Sequence, residues 1–543
     1  MGNSQSSPRQ VPASKPDPAV EKMLVQQIQN LRQMDLEQND SDEYIHVSSS
    51  EKGIPPRTYS TDPRLSLSTT TQWEKHLLSD PKNRLALNAL LSNDVRSVIA
   101  NKVLTLPDTQ TFNIKIPFEG APVTNQRSSG RCWLFATTNV LRVPLMKKYN
   151  LKDFELSQAY LFFWDKLEKA NWFLEQMIDI ARHGEEDAEL DSRIVQELLG
   201  APVNDGGQWD MAANLVEKYG LVPQRCYPDS YNAMNSSAMG GILTTKLRED
   251  GLILRDLVRK SKSQSQSSSG SGPSSKKEMP DLAGVKAKMM QEVQTILTLM
   301  LGPPPKPDEE FTWEYYDAND KYHKMVKTPL EFAKDMSSPG VVRALGNADV
   351  AELFSLVNDP RNAYGQLLTV ERLGNVVGGK GIRYVNVDME TMKAAAIRML
   401  KAGLPVFFGS DVGKFSNSQS GIMDLGLYDY GLAFNTSIGL GMSKSQRLRV
   451  RESAMTHAMV LTGVQVEEDE KSGKSKSVRW RVMNSWGETA GEKGYFVMTD
   501  AWMDEFVYQV VVDPGFVGKE VMDVLRGGKA KVLPLWDPMG ALA

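Results

Sequence analysis

The sequence predicts an α+β protein in which helices dominate the first half and strands the last third. Apolar residues recur at helical spacing in residues 132–150 and 156–182. After residue 380, short strand-like runs such as "LPVFFGS" and "VRWRVMNSW" are bounded by Gly, Pro and Asp. The 543-residue chain is 41% hydrophobic and 24% charged, so it can bury a sizeable core.

Residues 1–70 are rich in Ser, Pro, Gln and Asp and are predicted to be a disordered N-terminal tail. The folded part is expected to begin near "TTQWEKHLLSD". The opening "MGNSQSS" matches the myristoylation pattern with Gly2 as acceptor, although a Ser-rich tail can match so short a pattern by chance. One myristoyl chain binds membranes only marginally, so even the lipidated protein would associate weakly.

A helical domain is expected over residues 71–239. Its segment "CWLFATTNVLRVPLMKKYN" predicts one helix, with Lys147 and Lys148 in the last turn, where the helix dipole favours cations. The preceding "RSSGR" has turn composition, which places Cys132 at a helix N-terminus. The segment from residue 156 to 182 predicts a second, strongly apolar helix.

Residues 240–305 predict two helices joined by a flexible Ser/Gly linker at 261–275. From Lys246 to Lys288 there are ten lysines and arginines against five acidic residues, a local charge of +5. This pattern predicts a protruding helical hairpin with a basic tip.

Residues 306–515 are expected to form a β-rich domain, in which "EEDEKSGKSKS" is a solvated loop between strands. The closing residues 516–543, which end in "KAKVLPLWDPMGALA", show little regular pattern and predict an extended C-terminal arm.

Composition excludes several classes of protein. The net charge of −4 does not indicate a general nucleic-acid binder. Two cysteines do not make a disulfide framework, which favours a reducing compartment. The sequence has no run of about 18 apolar residues that could span a membrane. It also has no Cys/His cluster that would hold a metal, and no cofactor is expected.

One thiol and one imidazole are candidates for nucleophilic catalysis. A helix N-terminus lowers the pKa of a thiol, so Cys132 is placed to act as a thiolate. Of the five histidines, only His457 opens a strongly apolar strand. Taken singly, a free cysteine is more often a small buried hydrophobe, and a histidine at a strand edge more often has a structural role.

Three further residues complete this chemistry. Asn484, at the end of a strand, can accept the imidazole N–H and fix the ring, while Trp486 can shield that bond from water. Gln126, six residues before the thiol, can stabilise an oxyanion together with the backbone N–H of Cys132. Each also fits an ordinary loop or turn position.

Taken together, Gln, then Cys-Trp, then His-Ala, then Asn-Ser-Trp-Gly resemble the papain-like cysteine peptidases, whose local motif is Q-x-x-x-x-x-C-W. Two features depart from the common pattern. The thiol is flanked by "SSGRCW" in place of C-G-S-C-W, so the cysteine of that motif that forms a disulfide is missing. The gap from Cys132 to His457 is 457 − 132 = 325 residues, against about 130–150 in the common pattern.

Both departures fit the bleomycin hydrolase branch of that superfamily. The blocks "VTNQRSSGRCWLFA", "ELSQAYLFFWDKLEKAN", "NDGGQWD", "ESAMTHAMVLTG", "NSWGE" and "LPLWDPMGALA" resemble it in order along the chain, from about Trp73 to Ala543.

This resemblance implies a papain-like two-lobe fold, with a helical lobe, a β-barrel-like lobe, a large helical hook and a C-terminal arm in the cleft. It further implies a homohexameric aminopeptidase that acts through a thioester, and the location expected for this chain is cytoplasmic, partly mitochondrial, or membrane-associated if Gly2 is lipidated. Its substrates would include peptides, bleomycin and homocysteine thiolactone. Ala543 would then recognise the substrate N-terminus, and some members of the branch bind nucleic acid.

Two alternatives are left open by the residues. Transglutaminases and glutamine amidotransferases also use a Cys and a His, but they usually orient the His with a carboxylate where this chain has Asn484. A nucleic-acid-binding scaffold on a peptidase fold would account for the basic hairpin, but it would not need the catalytic residues.

Overall fold

The computed structural model describes residues 64–183, 189–267, 281–337, 350, 352–436, 438–468 and 475–542. The chain divides into two compact units, Met1–Asn93 with Ala433–Ser443 and Asp94–Leu432 with Lys444–Ala543. Within the described ranges, no helix is both long and apolar enough to cross a membrane. The predicted tail up to residue 63, including Gly2, lies outside the described residues.

The α-helices have the following bounds: α1 Leu67–Ser79, α2 Pro81–Ser92, α3 Val95–Ile99, α4 Cys132–Lys148, α5 Gln158–His183, α6 Arg193–Gly200, α7 Trp209–Tyr219, α8 Tyr231–Met234, α9 Ser237–Ser267, α10 Leu282–Leu301, α11 Pro329–Lys334, α12 Met389–Lys401, α13 Tyr430–Phe434, α14 Lys444–Arg449, α15 Asp500–Phe506 and α16 Lys519–Gly527. Short 3₁₀ turns lie at Asp335–Ser337, Pro514–Phe516 and Pro538–Gly540.

The strands are β1 Ile114–Lys115, β2 Phe311–Tyr316, β3 Tyr322–Lys327, β4 Phe354–Val357, β5 Gln366–Val370, β6 Tyr384–Asn386, β7 Val406–Ser410, β8 Ser416–Asn417, β9 Ile422–Met423, β10 His457–Glu468, β11 Ser475–Met483, β12 Tyr495–Thr499, β13 Val507–Val512 and β14 Lys531–Leu533. A large sheet runs in the order β14-β5-β6-β4-β13-β7-β10-β11-β12-β9-β8, with β1 paired to β10. Strands β2 and β3 form a separate antiparallel hairpin. The α+β class is confirmed.

The folded part begins slightly earlier than predicted, at α1. Ser66 caps this helix by accepting a hydrogen bond from the backbone N–H of Thr69. Asp80 ends α1 and caps α2, whose first residue is Pro81.

The two predicted helices of the first half are confirmed as α4 and α5. Almost every side chain of α4 is buried, from Cys132 to Met146, which explains why its apolar residues surround the whole helix. Pro144 lies inside α4 without ending it. Helix α5 packs against α4 and α7, so the core of the helical part lies directly behind the thiol.

Helices α9 and α10 are the predicted hairpin, and both pack on α5. The linker was predicted from residue 261, but α9 continues to Ser267; the rest of the linker lies outside the described residues. Several of the basic side chains are paired. Lys246 contacts Asp250 at 2.8 Å, and Lys260 contacts Asp256 at 2.6 Å. The positive charge of the hairpin is therefore partly neutralised within the chain.

The arm is more regular than its sequence suggested. Strand β14 pairs in parallel with β5 over Lys531–Leu533, and α16 precedes it. These three residues are extended, as any strand is, and they lie at the edge of the large sheet beside β5, which the sequence did not indicate.

Candidate active site

Cys132 is the first residue of α4 and is 2% exposed. Helix α4 packs on β10, so the thiol faces the strand that His457 opens. The backbone N–H of Ala458, the residue after the histidine, hydrogen-bonds the thiol. The fold therefore brings together two residues that lie 325 positions apart in the sequence.

His457 and Asn484 come from neighbouring strands. Strand β10 pairs with β11, with Val460 opposite Met483, so the start of β10 lies beside the end of β11. Nε2 of His457 donates a hydrogen bond to Oδ1 of Asn484 at 2.9 Å, and both side chains are buried. This bond fixes the ring and leaves Nδ1 as the ring nitrogen that could accept a proton.

Trp486 covers this pair. Its ring centroid lies 4.9 Å from that of His457, with an angle of 36° between the planes. The backbone around Trp486 is fixed to the loop before the thiol, since Asn125 forms a β-bridge with Trp486 and Gly487 donates to the Thr124 carbonyl. The indole of Trp486 therefore lies beside the imidazole, and its role as a shield of the hydrogen bond stays a prediction.

Gln126 is held at both ends of its amide. Its Oε1 accepts a hydrogen bond from the Ser485 hydroxyl at 2.7 Å, and its Nε2 donates to the Ser129 carbonyl at 2.6 Å. Its backbone N–H also donates to the Ser485 carbonyl at 2.8 Å. Nε2 carries two hydrogens, so one N–H stays available for an oxyanion.

The pKa of the Cys132 thiol is shifted in the direction opposite to the one that the sequence predicted. Burial raises the pKa of Cys132 to about 11 and outweighs the backbone N–H groups that favour the thiolate. Burial also lowers the pKa of His457 to about 4, although the bond to Asn484 acts in the opposite direction. Both groups are therefore neutral near pH 7. Moving the thiol proton to the imidazole would create both charges together and avoid an isolated buried charge.

Behind the thiol lies a set of charged groups that sequence reasoning did not single out. Trp133 Nε1 donates to the Asp205 carbonyl at 2.7 Å, and the Asp205 carboxylate pairs with Lys166 at 2.6 Å. Burial alone would raise the pKa of Asp205, but Lys166 and hydrogen bonds from Ser236 and Gly130 lower it to about 2. The sequence feature that could have indicated these groups is the block "NDGGQWD", which contains Asp205 but was taken only as part of the family resemblance.

The C-terminal arm reaches this region. Gln208 Nε2 donates to the Ala541 carbonyl at 2.6 Å. Gly207, the preceding residue, lies so close to Trp133 that a Cβ there would be 2.5 Å from the indole ring. Met539 of the arm is buried at 1% exposure. The arm therefore packs beside the start of α4, while Ala543 itself lies outside the described residues.

Asp537 fixes the middle of the arm. It pairs with Arg361 at 2.7 Å, and Arg361 also contacts Asp359 at 2.9 Å. Arg193 lies over the Trp536 ring at 4.2 Å.

Over the described residues, no group of three or more His, Cys, Asp or Glu side chains could hold a metal ion.

The chain is similar to known proteins over most of its length. The model of the Peptidase C1-like family matches residues 64–540. Cysteine proteinase 1, mitochondrial, of Saccharomyces cerevisiae is 41% identical over 485 residues, covering 88% of this chain and 93% of the relative. Bleomycin hydrolase of Homo sapiens is 43% identical over 470 residues, covering 86% and 96%.

A solved structure is similar over the same region. PepW of Lactobacillus rhamnosis HN001 has 41% sequence identity and a TM-score of 0.78, and the match covers 89% of this chain and 100% of that one. The predicted papain-like fold and the predicted peptidase activity are confirmed by these matches. The chain belongs to the Peptidase C1-like family and is a cysteine peptidase of the bleomycin hydrolase type.

Proposed function

We propose that the protein is an aminopeptidase in which Cys132 is the nucleophile. The thiol transfers its proton to Nδ1 of His457 and attacks the carbonyl carbon, forming a tetrahedral oxyanion. His457 then protonates the leaving amine, and a thioester forms. In the second half, His457 takes a proton from water, which hydrolyses the thioester and frees the thiol. Asn484 keeps the imidazole oriented throughout, and Trp486 keeps water from their hydrogen bond.

The oxyanion is stabilised by two donors. One is the backbone N–H of Cys132 at the start of α4, where the helix dipole also favours negative charge. The other is the second N–H of Gln126 Nε2, whose amide is already held by Ser485 and Ser129. Donors that are fixed before the reaction lose little free energy when the charge develops.

The hydrogen bond from Gln208 to Ala541 supports aminopeptidase activity over cleavage within a chain. An arm held beside the start of α4 occupies space that the residues before the scissile bond of a long substrate would need. A peptide can then enter only by its end. We propose that the carboxylate of Ala543, two residues further on, pairs with the α-ammonium group of the substrate.

The names of the relatives suggest substrates other than peptides. Since one similar protein is named bleomycin hydrolase, we propose bleomycin as a substrate, and homocysteine thiolactone as a second acyl compound open to the same thiol. Acyl transfer of the transglutaminase type is less favoured, because the imidazole is oriented by the Asn484 amide.

The finer predictions on partners and location are part of the proposal. A homohexamer joined through α9 and α10 would place the hook helices between subunits. The yeast relative is named as mitochondrial, which supports a partly mitochondrial location beside a cytoplasmic one. Myristoylation of Gly2 would add weak membrane association.

Nucleic-acid binding by the hairpin has less support. Lys246 and Lys260 are paired with acidic side chains, so fewer cations are available for phosphate than the sequence suggested. Replacing Lys260 and Lys262 by Gln should flatten the salt dependence of any retention of single-stranded DNA. A wild-type protein that is not retained at low salt would exclude this role.

The test of the proposed activity compares peptides with a free and an acetylated N-terminus. The wild-type enzyme should release amino acids one at a time from the free peptide only. Cys132→Ala should release none, because the methyl side chain cannot form a thioester. Release by Cys132→Ala, or equal hydrolysis of both peptides by the wild type, would contradict the proposal.

A further inference from the structure

The turn that carries Gln126 to the thiol is closed by two reciprocal hydrogen bonds. Gln126 Nε2 donates to the Ser129 carbonyl at 2.6 Å. In return, the Ser129 hydroxyl donates to the main-chain carbonyl of Gln126, also at 2.6 Å. The position of the amide nitrogen therefore depends on where Ser129 lies.

Ser129 is held in turn by Arg131, the residue directly before the nucleophile. Arg131 Nε donates to the Ser129 hydroxyl at 2.9 Å. A hydroxyl has one donor and two acceptor positions, so Ser129 can accept this bond and still donate to Gln126. The result is a continuous chain of contacts from the guanidinium of Arg131 to the amide of Gln126.

An ion pair between the buried Arg131 and the half-buried Asp229 anchors the far end. Arg131 is fully buried, and its Nη1 contacts Asp229 at 2.7 Å while Nη2 lies 3.4 Å from the second carboxylate oxygen. Its guanidinium lies over the rings of Phe135 and Phe162, at 5.1 and 5.3 Å. Because an unpaired charge is unfavourable in a buried site, the guanidinium of Arg131 is held in this geometry once the pair has formed.

The network occupies the positions at which this chain departs from the common motif. When "SGRCW" is set against C-G-S-C-W, Ser129 stands at the cysteine that forms a disulfide in that motif, and Arg131 at its serine. Where the common motif has a disulfide-forming cysteine, this chain therefore has a serine that is held by hydrogen bonds and linked to an ion pair.

We propose that Ser129 and Arg131 are positioning residues for the oxyanion donor, with Asp229 as their anchor. The Ser129 hydroxyl transmits the fixed position of Arg131 to the Gln126 amide, and so aims its second N–H at the oxyanion. The inference rests on the proposed role of Gln126. It adds Ser129, Arg131 and Asp229, which would act through Gln126 and not by contacting the substrate.

Ser129→Ala is the decisive variant, because it removes the hydroxyl and leaves the ion pair of Arg131 with Asp229 intact. We expect kcat for a free peptide to fall about tenfold and KM to change less than about twofold, since loss of a well-placed oxyanion donor acts on the transition state. The fraction of active enzyme, titrated with an irreversible thiol reagent, should stay at the wild-type level. Ser128→Ala, an exposed neighbouring serine, serves as the matched control and should not change kcat.

A double-mutant cycle separates positioning from a general effect on the fold. The Gln126→Ala variant has no side-chain amide for Ser129 to position, so adding Ser129→Ala should cause no further loss of kcat. The same loss in both backgrounds, or unchanged kcat in Ser129→Ala alone, would overturn the relay. Unchanged kcat in Gln126→Ala would instead remove the oxyanion role of Gln126, and the relay with it.

Discussion

Replacing Asn484 by alanine tests the coupling between the imidazole and the thiol. The structure gives His457 a hydrogen-bond acceptor at 2.9 Å in a buried site, and this bond raises the pKa of the ring against the effect of burial. A hydrogen bond to a charged group contributes ~1.5–3 kcal/mol and one to a neutral group ~0.5–1.5 kcal/mol. From the midpoints of these ranges, losing the bond costs the imidazolium about 1.25 kcal/mol more than the neutral ring.

That difference corresponds to about a tenfold smaller population of the thiolate–imidazolium pair. In Asn484→Ala we expect alkylation of Cys132 by iodoacetamide near pH 7 to slow about tenfold, and kcat to fall by at least as much. Cys226 is the internal control: burial raises its pKa to about 11, it lies outside the site, and its rate should not change. Peptide mapping of the alkylated protein measures both rates in one sample. An unchanged Cys132 rate, or equal slowing at both cysteines, would refute the reasoning.

Further predictions concern the arm, the fold and pH. Gln208→Ala should loosen the arm, so that limited proteolysis after residue 533 is faster and N-acetylated peptides begin to be cut; unchanged proteolysis would contradict this. Cys132→Ala should keep the wild-type circular dichroism spectrum and melting temperature, and a large loss of either would mean that the thiol is needed for packing. Because burial lowers the pKa of His457 from 6.5 to about 4, protonation favours the unfolded chain. The contribution of the neutral His457 ring to the free energy of unfolding should therefore be fully present above about pH 6.5 and should be lost as the pH falls toward 4. Urea unfolding should show the wild type losing about 3 kcal/mol more than His457→Gln across that range, whereas equal losses would contradict the buried neutral ring.

The residues of the candidate site could be singled out from the sequence, because each step of the proposed chemistry demands a particular residue type. A nucleophilic thiol at a helix start, an imidazole opening an apolar strand and an amide ending another are local features. The structure places Cys132, His457 and Asn484 together through the packing of α4 on β10 and the pairing of β10 with β11.

The supporting contacts could not be predicted, because their partners are far apart in the chain. The bond between Gln126 and Ser485 spans 359 residues, and that between Gln208 and Ala541 spans 333. No local pattern encodes such a pairing. The effect of burial on the thiol was missed for the same reason, since the groups that cover Cys132 come from many segments.

The fold shows a similar division. The start of strand β10 was predicted correctly at His457, because a long apolar run follows it, but the strand continues two residues into the segment "EEDEKSGKSKS" that was predicted as a loop. The hairpin of β2 and β3 was missed although "FTWEYY" alternates buried and exposed residues at its start. Strand β14 is three residues long and depends on pairing with β5, which the sequence alone does not indicate.

Deleting Met539–Ala543 tests the central claim, that the arm makes this cysteine peptidase an aminopeptidase. The deletion removes the Ala541 carbonyl that Gln208 holds and the proposed carboxylate of Ala543, but leaves β14 and the pair of Asp537 with Arg361. Products from one peptide, free and N-acetylated, would be identified by mass spectrometry. We predict that the full-length enzyme trims only the free peptide from its end, and that the truncated enzyme trims it more slowly and cuts the acetylated peptide at internal bonds. A truncated enzyme that still requires a free N-terminus would contradict the account.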